Sequence, residues 1–371
     1  MSNLADLLKA PSASFEAEED FDAINALYLD RGWGDGLPIV PPTAERVERM
    51  LAWCDRAWDE PIAKIAPRYG EATPLRLAAN AVMAGCRPEY FPLYMLAIEA
   101  MCEEPFNLYG VQATTHLCAP LLIVNGPIGR EIGLNSGHNA FGPGTPSNAT
   151  IGRAVRLALL NIGGALPGSG DMSTFGAPSK FSYCVAENEA ASPWEPLHVE
   201  RGFPVDATTV TVIGAECPHN VNDHESLSAE GILTTIAGTM ALTGSNDTYY
   251  DAQPVVVMGP EHAKTVADGG YSKAGAKCFL QEHATTPLGR FSKENIERRF
   301  RTTLKDRYGN APLDTPIPAV QRAEDLIIAV IGGAGKHSAY IPTFGATKAV
   351  TRALKRSDGS LARSVKDFNK K

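Results

Sequence analysis

The stretch Pro120-Leu121-Leu122-Ile123-Val124-Asn125-Gly126-Pro127 decides the predicted fold, because a related stretch occurs in the second half of the chain. That counterpart is Pro254-Val255-Val256-Val257-Met258-Gly259-Pro260. Each is a short apolar run that ends in Gly-Pro, a pattern typical of a buried strand followed by a turn. The sequence therefore predicts two related units, each built around such a strand.

A second pair of stretches occurs in the same order along the chain. Gly176–Ser182 and Gly332–Ser338 share the first Gly, the last Ser and the lysines Lys180 and Lys336. Backbone N–H groups of a Gly-rich loop, together with an ammonium group, form a good pocket for a carboxylate or phosphate. We expect the two loops to meet in one cleft. The alternative is that both are tight turns with solvated lysines.

The pattern between these stretches is that of an α/β protein. Strands predicted over 208–213 and 326–331 alternate with helices predicted over 226–242 and 344–355, which favours mostly parallel sheets. We expect a mobile N-terminus over residues 1–18, a first α/β unit over 19–204 and a second over 205–371. Because ligands bind beyond the carboxyl ends of parallel strands, the predicted site lies there, between the units.

The composition restricts the class of protein. The 371 residues carry a net charge of −8, which argues against nucleic acid as a partner. No apolar run is long enough for a membrane span, and no secretory signal core opens the chain. The seven cysteines form no Cys-x-x-Cys pair and are typical of reduced cytoplasmic thiols. The apolar content of 44% makes a homo-oligomer reasonable.

A cluster of imidazole and carboxylate groups follows the strand predicted over 208–213. His219, Asp223 and His224, with His116 as a fourth member, are side chains that bind zinc, iron or manganese. The sequence therefore predicts a divalent metal site there. The alternative is that Asp223 caps the following helix and the others form ordinary hydrogen bonds.

The candidate catalytic residues lie in the same strand-end loops. They are His219, His337, Lys336, Glu216 and Cys217. The imidazoles and Glu216 are candidates for general acid–base catalysis. A neighbouring imidazolium would activate the thiol of Cys217 as a nucleophile. The candidate substrate-binding residues are Lys180, Ser182, Ser338, Ser147, Asn148 and His138.

Several motifs resemble a bacterial protein family, the UGSC-type selenoprotein-related proteins. They are the runs Gly34–Thr43, Asn80–Glu89, Ile123–Pro127 and Pro218–Asn220. The resemblance spans about residues 20–350, and the family is largely uncharacterised, so it implies little about the substrate. The Cys-Gly-Ser-Cys motif behind the family name is absent from this chain. No catalytic residue is therefore carried over.

Together these patterns predict a small-molecule enzyme, a lyase or hydrolase that acts on a small carboxylate-type anion, with or without a metal. A second hypothesis is thiol chemistry at Cys217, as a reductase or covalent hydrolase. A third is a non-catalytic protein that binds a small anion or serves as a scaffold.

Overall fold

The computed structural model describes residues 15, 17 and 19–370. The predicted mobile N-terminus over 1–18 lies outside these residues, except for Phe15 and Ala17. The described strands are β1 (Ala63–Ile65), β2 (Gly70–Ala72), β3 (Ala119–Asn125), β4 (Cys184–Ala186), β5 (Thr209–Ala215), β6 (His219–Asn222), β7 (Val255–Met258), β8 (Thr285–Pro287), β9 (Pro316–Pro318), β10 (Ile327–Val330), β11 (His337–Ile341) and β12 (Val350–Ala353).

The described helices surround these strands. They are α1 (Phe21–Asp30), α2 (Ala44–Leu51), α3 (Pro74–Ala84), α4 (Phe91–Met101), α5 (Leu108–Ala113), α6 (Pro127–Glu131), α7 (Pro146–Asn161), α8 (Leu197–Glu200), α9 (Ala229–Met240), α10 (Asn246–Tyr249), α11 (Pro260–Asp268), α12 (Lys273–His283), α13 (Lys293–Asn295), which continues as a π-helix (Ile296–Thr303), and α14 (Lys305–Tyr308). Short 3-10 turns lie at Pro88–Tyr90, Glu104–Phe106, Pro178–Lys180, Leu288–Arg290, Ala323–Asp325 and Val365–Phe368.

Local sequence explains where the longer helices begin and end. At the start of α3, the Thr73 side chain accepts a hydrogen bond from the Arg76 N–H, as an N-cap does. Gly85 ends the helix with φ +83°, a left-handed conformation that favours glycine. At the start of α9, the Ser228 side chain accepts from the Gly231 N–H in the same way.

The larger strands form two four-stranded mixed sheets. The first sheet has the order β12-β5-β3-β4 and the second has the order β10-β7-β11-β6. In each, one pairing is parallel (β3 with β4, β7 with β10) and the other two are antiparallel. The α/β class is therefore confirmed, whereas the expectation of mostly parallel sheets is wrong. The short turn between β10 and β11 cannot return the chain in a parallel direction, which needs a long crossover.

The two sheets pack face to face, and helices cover their outer faces. Side chains alternate along β3, so that Leu121 and Ile123 enter the core between the sheets while Leu122 and Val124 pack against helices. Along β7, Val257 likewise enters the shared core. The result is a four-layer arrangement of helices, sheet, sheet and helices. Among the described helices, none is both long and apolar enough to cross a membrane.

The two sheets have the same strand order and pairing directions, with β12-β5-β3-β4 corresponding to β6-β11-β7-β10. If Pro120–Val124 is placed on Pro254–Met258, as the sequence suggests, Leu121 and Ile123 fall on Val255 and Val257, and all four face the shared core. With this placement the last residues of β4 and β10, Ala186 and Val330, coincide, and Glu189 and Gly333 are each the third residue beyond the strand end.

The two sheets exchange their edge strands β6 and β12. β6 follows β5 directly but pairs with β11, and β12 follows β11 but pairs with β5. The connecting segments run side by side, where Glu216 N–H donates to Pro342 O at 2.8 Å and Phe344 N–H donates to Gly214 O at 2.8 Å. The predicted boundary at 204/205 does not separate the sheets, because β5 lies after it and pairs with β3.

Two details of the sequence prediction are corrected by this topology. The helix predicted over 344–355 is wrong, because the chain there forms β12, whose β-branched Val350 and Thr351 pair with β5. The same placement of the sheets also sets Ser338 on Val210 rather than on Ser182. The likeness of Gly176–Ser182 to Gly332–Ser338 therefore has no counterpart in the strand pairing.

Candidate functional site

A cleft lies where β7 and β10 end. It has a volume of about 340 Å³, and its lining includes His138–Gly142, Gly259, Ile331–Gly335 and His337–Ala339. We call it the histidine cleft. Because β7 and β10 are parallel, their carboxyl ends meet at one edge of the second sheet, the position where α/β proteins bind ligands.

The long loop of the first half covers this edge. Gly332 N–H donates to Ser136 O at 2.8 Å, and the Asn188 side chain donates to Gly332 O at 3.0 Å. The His138 ring packs on Gly333, where an added Cβ would come within 2.3 Å of the ring. The loops that carry His138 and His337 therefore meet. The expectation that Gly176–Ser182 and Gly332–Ser338 share one cleft is wrong for this cleft, because none of residues 176–182 lines it.

The loop after β10 offers unpaired backbone donors to the cleft. Gly332 and Gly335 adopt φ +119° and +136°, which strongly favour glycine. Between them, the N–H groups of Gly333 and Ala334 have no acceptor among the described residues. Successive N–H groups of this kind form a concave binding place for an anion.

His337 and His224 form a pair at the end of this loop. Nδ1 of His337 lies 3.0 Å from Asn220 Oδ1, which only accepts, so Nδ1 carries the hydrogen there. In a neutral His337, Nε2 is then the acceptor, and Nε2 of His224 lies 3.2 Å away and donates to it. His337 Nε2 is thus a base at the rim of the cleft whose single lone pair accepts the His224 N–H in this arrangement.

Lys336 holds this pair in place. Its ammonium group donates to His224 O at 2.8 Å, and the neighbouring Gly335 N–H donates to Glu261 Oε1 at 2.7 Å. Lys336 therefore joins the loop after β10 to the segment that carries His224. In this structure it is a positioning residue.

Ser338 forms a buried pair that the sequence analysis missed. Nε2 of His262 donates to the backbone carbonyl of Asp223 at 3.0 Å, so its Nδ1 accepts from Ser338 Oγ at 2.8 Å. Gly259 N–H donates to the same hydroxyl oxygen. His262 lies in α11 with no flanking motif, and only its register on the helix could have indicated this contact.

The predicted metal ligands do not come together. His219 is exposed on β6, while His116 pairs at 2.6 Å with Glu216, the residue that follows β5. Burial raises the pKa of Asp223, but hydrogen bonds from Thr235 and Ser226 outweigh it and lower the pKa to about 2. Among the described residues, no three His, Cys, Asp or Glu side chains form a group that could hold a metal ion. The metal site stays a prediction.

Most of the other predicted substrate-binding residues are engaged within the protein. Lys180 Nζ contacts both oxygens of Asp171 at 2.6–2.7 Å. The Ser147 hydroxyl donates to Gly133 O at 2.8 Å. The Asn148 side chain accepts from the Asn135 N–H and donates to Asn135 O. These contacts fix the long loop against the start of α7.

The predicted thiol site lies in the segment between β5 and β6. Cys217 is partly exposed there, and its neighbour Glu216 is already paired with His116. Burial raises the pKa of the Cys86, Cys102 and Cys118 thiols to about 12, which makes them poor nucleophiles. Thiol chemistry at Cys217 therefore stays a separate hypothesis from the histidine cleft.

No protein-family model, curated protein or solved structure matches this chain. The resemblance to the UGSC-type family therefore stays a prediction, as do the homo-oligomer and the cytoplasmic location. The function is therefore argued from the geometry of the histidine cleft.

Proposed function

We propose that the protein is an enzyme, a hydrolase or lyase, that acts on a small anionic substrate in the histidine cleft. The observation that supports this best is the base at the rim of the cleft. His337 Nε2 faces His224, while Asn220 fixes the ring through Nδ1. An oriented imidazole beside a cavity is the usual arrangement for general acid–base catalysis.

The cleft suits an anion because its donors have no other acceptor. The N–H groups of Gly333 and Ala334 would bind the carboxylate of the substrate. Glycine at 332 leaves the backbone open to close approach, whereas the His138 ring fills the space beside Gly333. A protonated His224–His337 pair would add a positive charge beside the same anion.

The proton path follows from the tautomers. His337 Nε2 takes a proton from water in a hydrolase, or from the substrate in a lyase, and the charged ring returns it to the leaving group. Because His337 Nε2 has a single lone pair, the His224 ring first turns its Nε2–H away and keeps that hydrogen throughout the reaction. Removing such a group costs about 10²–10⁴-fold in rate.

The test compares variants on two sets of small substrates. 4-Nitrophenyl acetate and 4-nitrophenyl phosphate report hydrolysis, and malate and citrate report elimination of water. We expect His337→Ala to lower kcat at least about a hundredfold and His224→Ala to lower it less. His283→Ala is the control, since that ring stacks on Phe279 in α12.

The outcomes separate the three hypotheses. Full activity of His337→Ala on a substrate that the wild type turns over would refute the acid–base role. Activity lost in Cys217→Ser but kept in His337→Ala would favour thiol chemistry. Binding of acetate without turnover of any substrate would favour the non-catalytic protein.

A further inference from the structure

A second compartment adjoins the histidine cleft. Its volume is about 240 Å³, and residues Ala140–Gly142 line both spaces. Phe181 and Tyr183 also line it, together with Pro143 and Pro178. We call it the aromatic compartment. Phe141 stands at the junction, with its ring centroid 6.0 Å from that of Tyr183.

The polar side chains of the aromatic compartment are already paired. The Tyr183 hydroxyl donates to Glu216 O at 2.8 Å, and the Ser182 hydroxyl donates to Ala149 O at 2.9 Å. The Asn148 amide donates to Asn135 O and Ala140 O. A polar ligand group would thus find no free side-chain partner here, whereas an apolar group would lose nothing by leaving water.

Phe181 indicates the same preference. Its side chain is 50% exposed beside this compartment, although a phenylalanine ring gains free energy when it is buried. An apolar group in the compartment would cover part of this ring. Ring pairs gain further from tilted or offset contacts, for which Phe141 and Tyr183 are already placed.

We propose that the substrate carries an aromatic or branched apolar group beside its carboxylate, and that the aromatic compartment binds this group. This inference rests on the proposed function, which places the carboxylate in the histidine cleft. Phe141 would then separate the two parts of one ligand. The substrate class is a small apolar compound that keeps a free carboxylate, rather than a compact polar acid such as malate.

The test measures the affinities of acetate and phenylacetate, which differ only by the phenyl group. We expect phenylacetate to bind the wild-type protein at least about tenfold more tightly, because the ring is taken out of water. Phe181→Ala should remove most of this difference and leave the affinity for acetate unchanged. Phe175→Ala is the matched control, since that ring is 78% exposed and does not line the compartment.

The outcomes distinguish this inference from the proposed function. Equal affinities for acetate and phenylacetate in the wild type would overturn the apolar subsite and leave the anion site standing. A preference for phenylacetate that survives in Phe181→Ala would also overturn it, because the ring would then bind elsewhere. If neither acid binds and His337→Ala changes no activity, both proposals fail.

Discussion

The two sheets differ at the carboxyl ends of their corresponding strands, β3 and β4 in the first sheet and β7 and β10 in the second. Beyond β3 and β4, the Glu189 carboxylate accepts from the Gly126 N–H at 2.6 Å, from Asn125 at 3.1 Å and from Arg130 at 2.6 Å. Beyond β7 and β10, the residue aligned with Glu189 is Gly333, and the histidine cleft lies open there. One strand end holds a carboxylate of the protein itself, and the other has room for a carboxylate from outside.

This difference indicates which kind of ligand the open end of the second sheet can bind. In the first sheet, a backbone N–H that follows a strand and an adjacent amide group bind a carboxylate in the folded chain. In the second sheet, the corresponding Gly259 N–H donates to Ser338 Oγ, and the Glu261 carboxylate accepts from Gly335 N–H. Among the described residues, the Gly333 and Ala334 N–H groups are donors of this loop left for an anion from outside.

The largest expected effect concerns Gly126 and Gly259, the glycines that follow β3 and β7. At Gly126, φ is +92°, and an added Cβ would lie 2.3 Å from Ala207 O. At Gly259, φ is ordinary, although an added Cβ would lie 2.1 Å from His337 O. We expect Gly126→Ala to lower the free energy of unfolding by roughly 3–5 kcal/mol, and Gly259→Ala to lower it less but to displace His337 and reduce activity.

Urea unfolding and the activity of both glycine variants check this prediction. Gly238→Ala is the control, because a Cβ there meets nothing within 4 Å in α9. It should leave stability unchanged or raise it by up to about 1 kcal/mol. Equal losses of stability in the two strand-end variants would mean that the closed and open ends are equally rigid.

The next effect concerns Asp247, a buried carboxylate beside the second sheet. It accepts from the Tyr340 hydroxyl and from the Thr343 N–H and hydroxyl, and Tyr340 corresponds to the apolar Val212 when β7 is placed on β3. Asp247→Ala would leave these donors unpaired in the core. We expect a loss of about 3 kcal/mol in the free energy of unfolding, measured with urea.

The buried Asp247 carboxylate should also make the stability of the fold depend on pH. Burial raises its pKa from 3.8 to about 7, against the opposing hydrogen bonds from Tyr340 and Thr343. A pKa raised in the folded state gives stability that is present below about pH 4 and is lost as the pH rises through 7. We expect wild-type stability to fall over this range by up to about 1.4 kcal/mol per pH unit. In Asp247→Asn this contribution to the slope should vanish, and an unchanged slope would contradict the assignment.

A smaller effect concerns the ends of β3 and β4, where Glu189 is bound. Glu189→Ala removes the acceptor of the Gly126 N–H, and we expect it to cost about 2 kcal/mol in the free energy of unfolding. Because the vacated place resembles the open end of the second sheet, added acetate should restore part of this loss. The measurement is thermal unfolding with sodium acetate and with sodium chloride at equal ionic strength. If acetate stabilised the wild type and the variant equally, the two ends would not be comparable.

The smallest effect concerns the orientation of the base. Asn220→Ala removes the acceptor of His337 Nδ1–H, so the ring can rotate and the wrong tautomer becomes populated. We expect kcat to fall about tenfold, or about 1.4 kcal/mol, with little change in KM. Asn222→Ala, two residues along the same exposed strand, serves as the control. Equal kcat values for the two variants would exclude a positioning role for Asn220.

The sequence predicts the parts of the fold that depend on local patterns. The helices over 74–84 and 229–240 follow from apolar spacing and N-caps, and the strands at 209–215 and 255–258 follow from β-branched runs. The matching strands in the two halves also follow from the sequence, because the similar stretches Pro120–Val124 and Pro254–Met258 contain β3 and β7, which hold corresponding places in the two sheets.

What local patterns miss depends on partners far away in the chain. β6 and β12 are strands because β11 and β5 offer free edges, and neither stretch has a strong strand pattern of its own. The same holds for the site. His337 and His138 stand in conspicuous loops, whereas the contact of His337 with His224 and Asn220 exists only once β6 pairs with β11.

The exchange of edge strands has a consequence for the nascent chain. β3, β4 and β5 leave the ribosome well before β12, so the first sheet keeps an unpaired edge until the second half has been made. An exposed edge of this kind attracts other strands. A cell that synthesises this protein therefore has to protect one strand edge while residues 216–349 are made, a demand that falls on chaperones rather than on the finished fold.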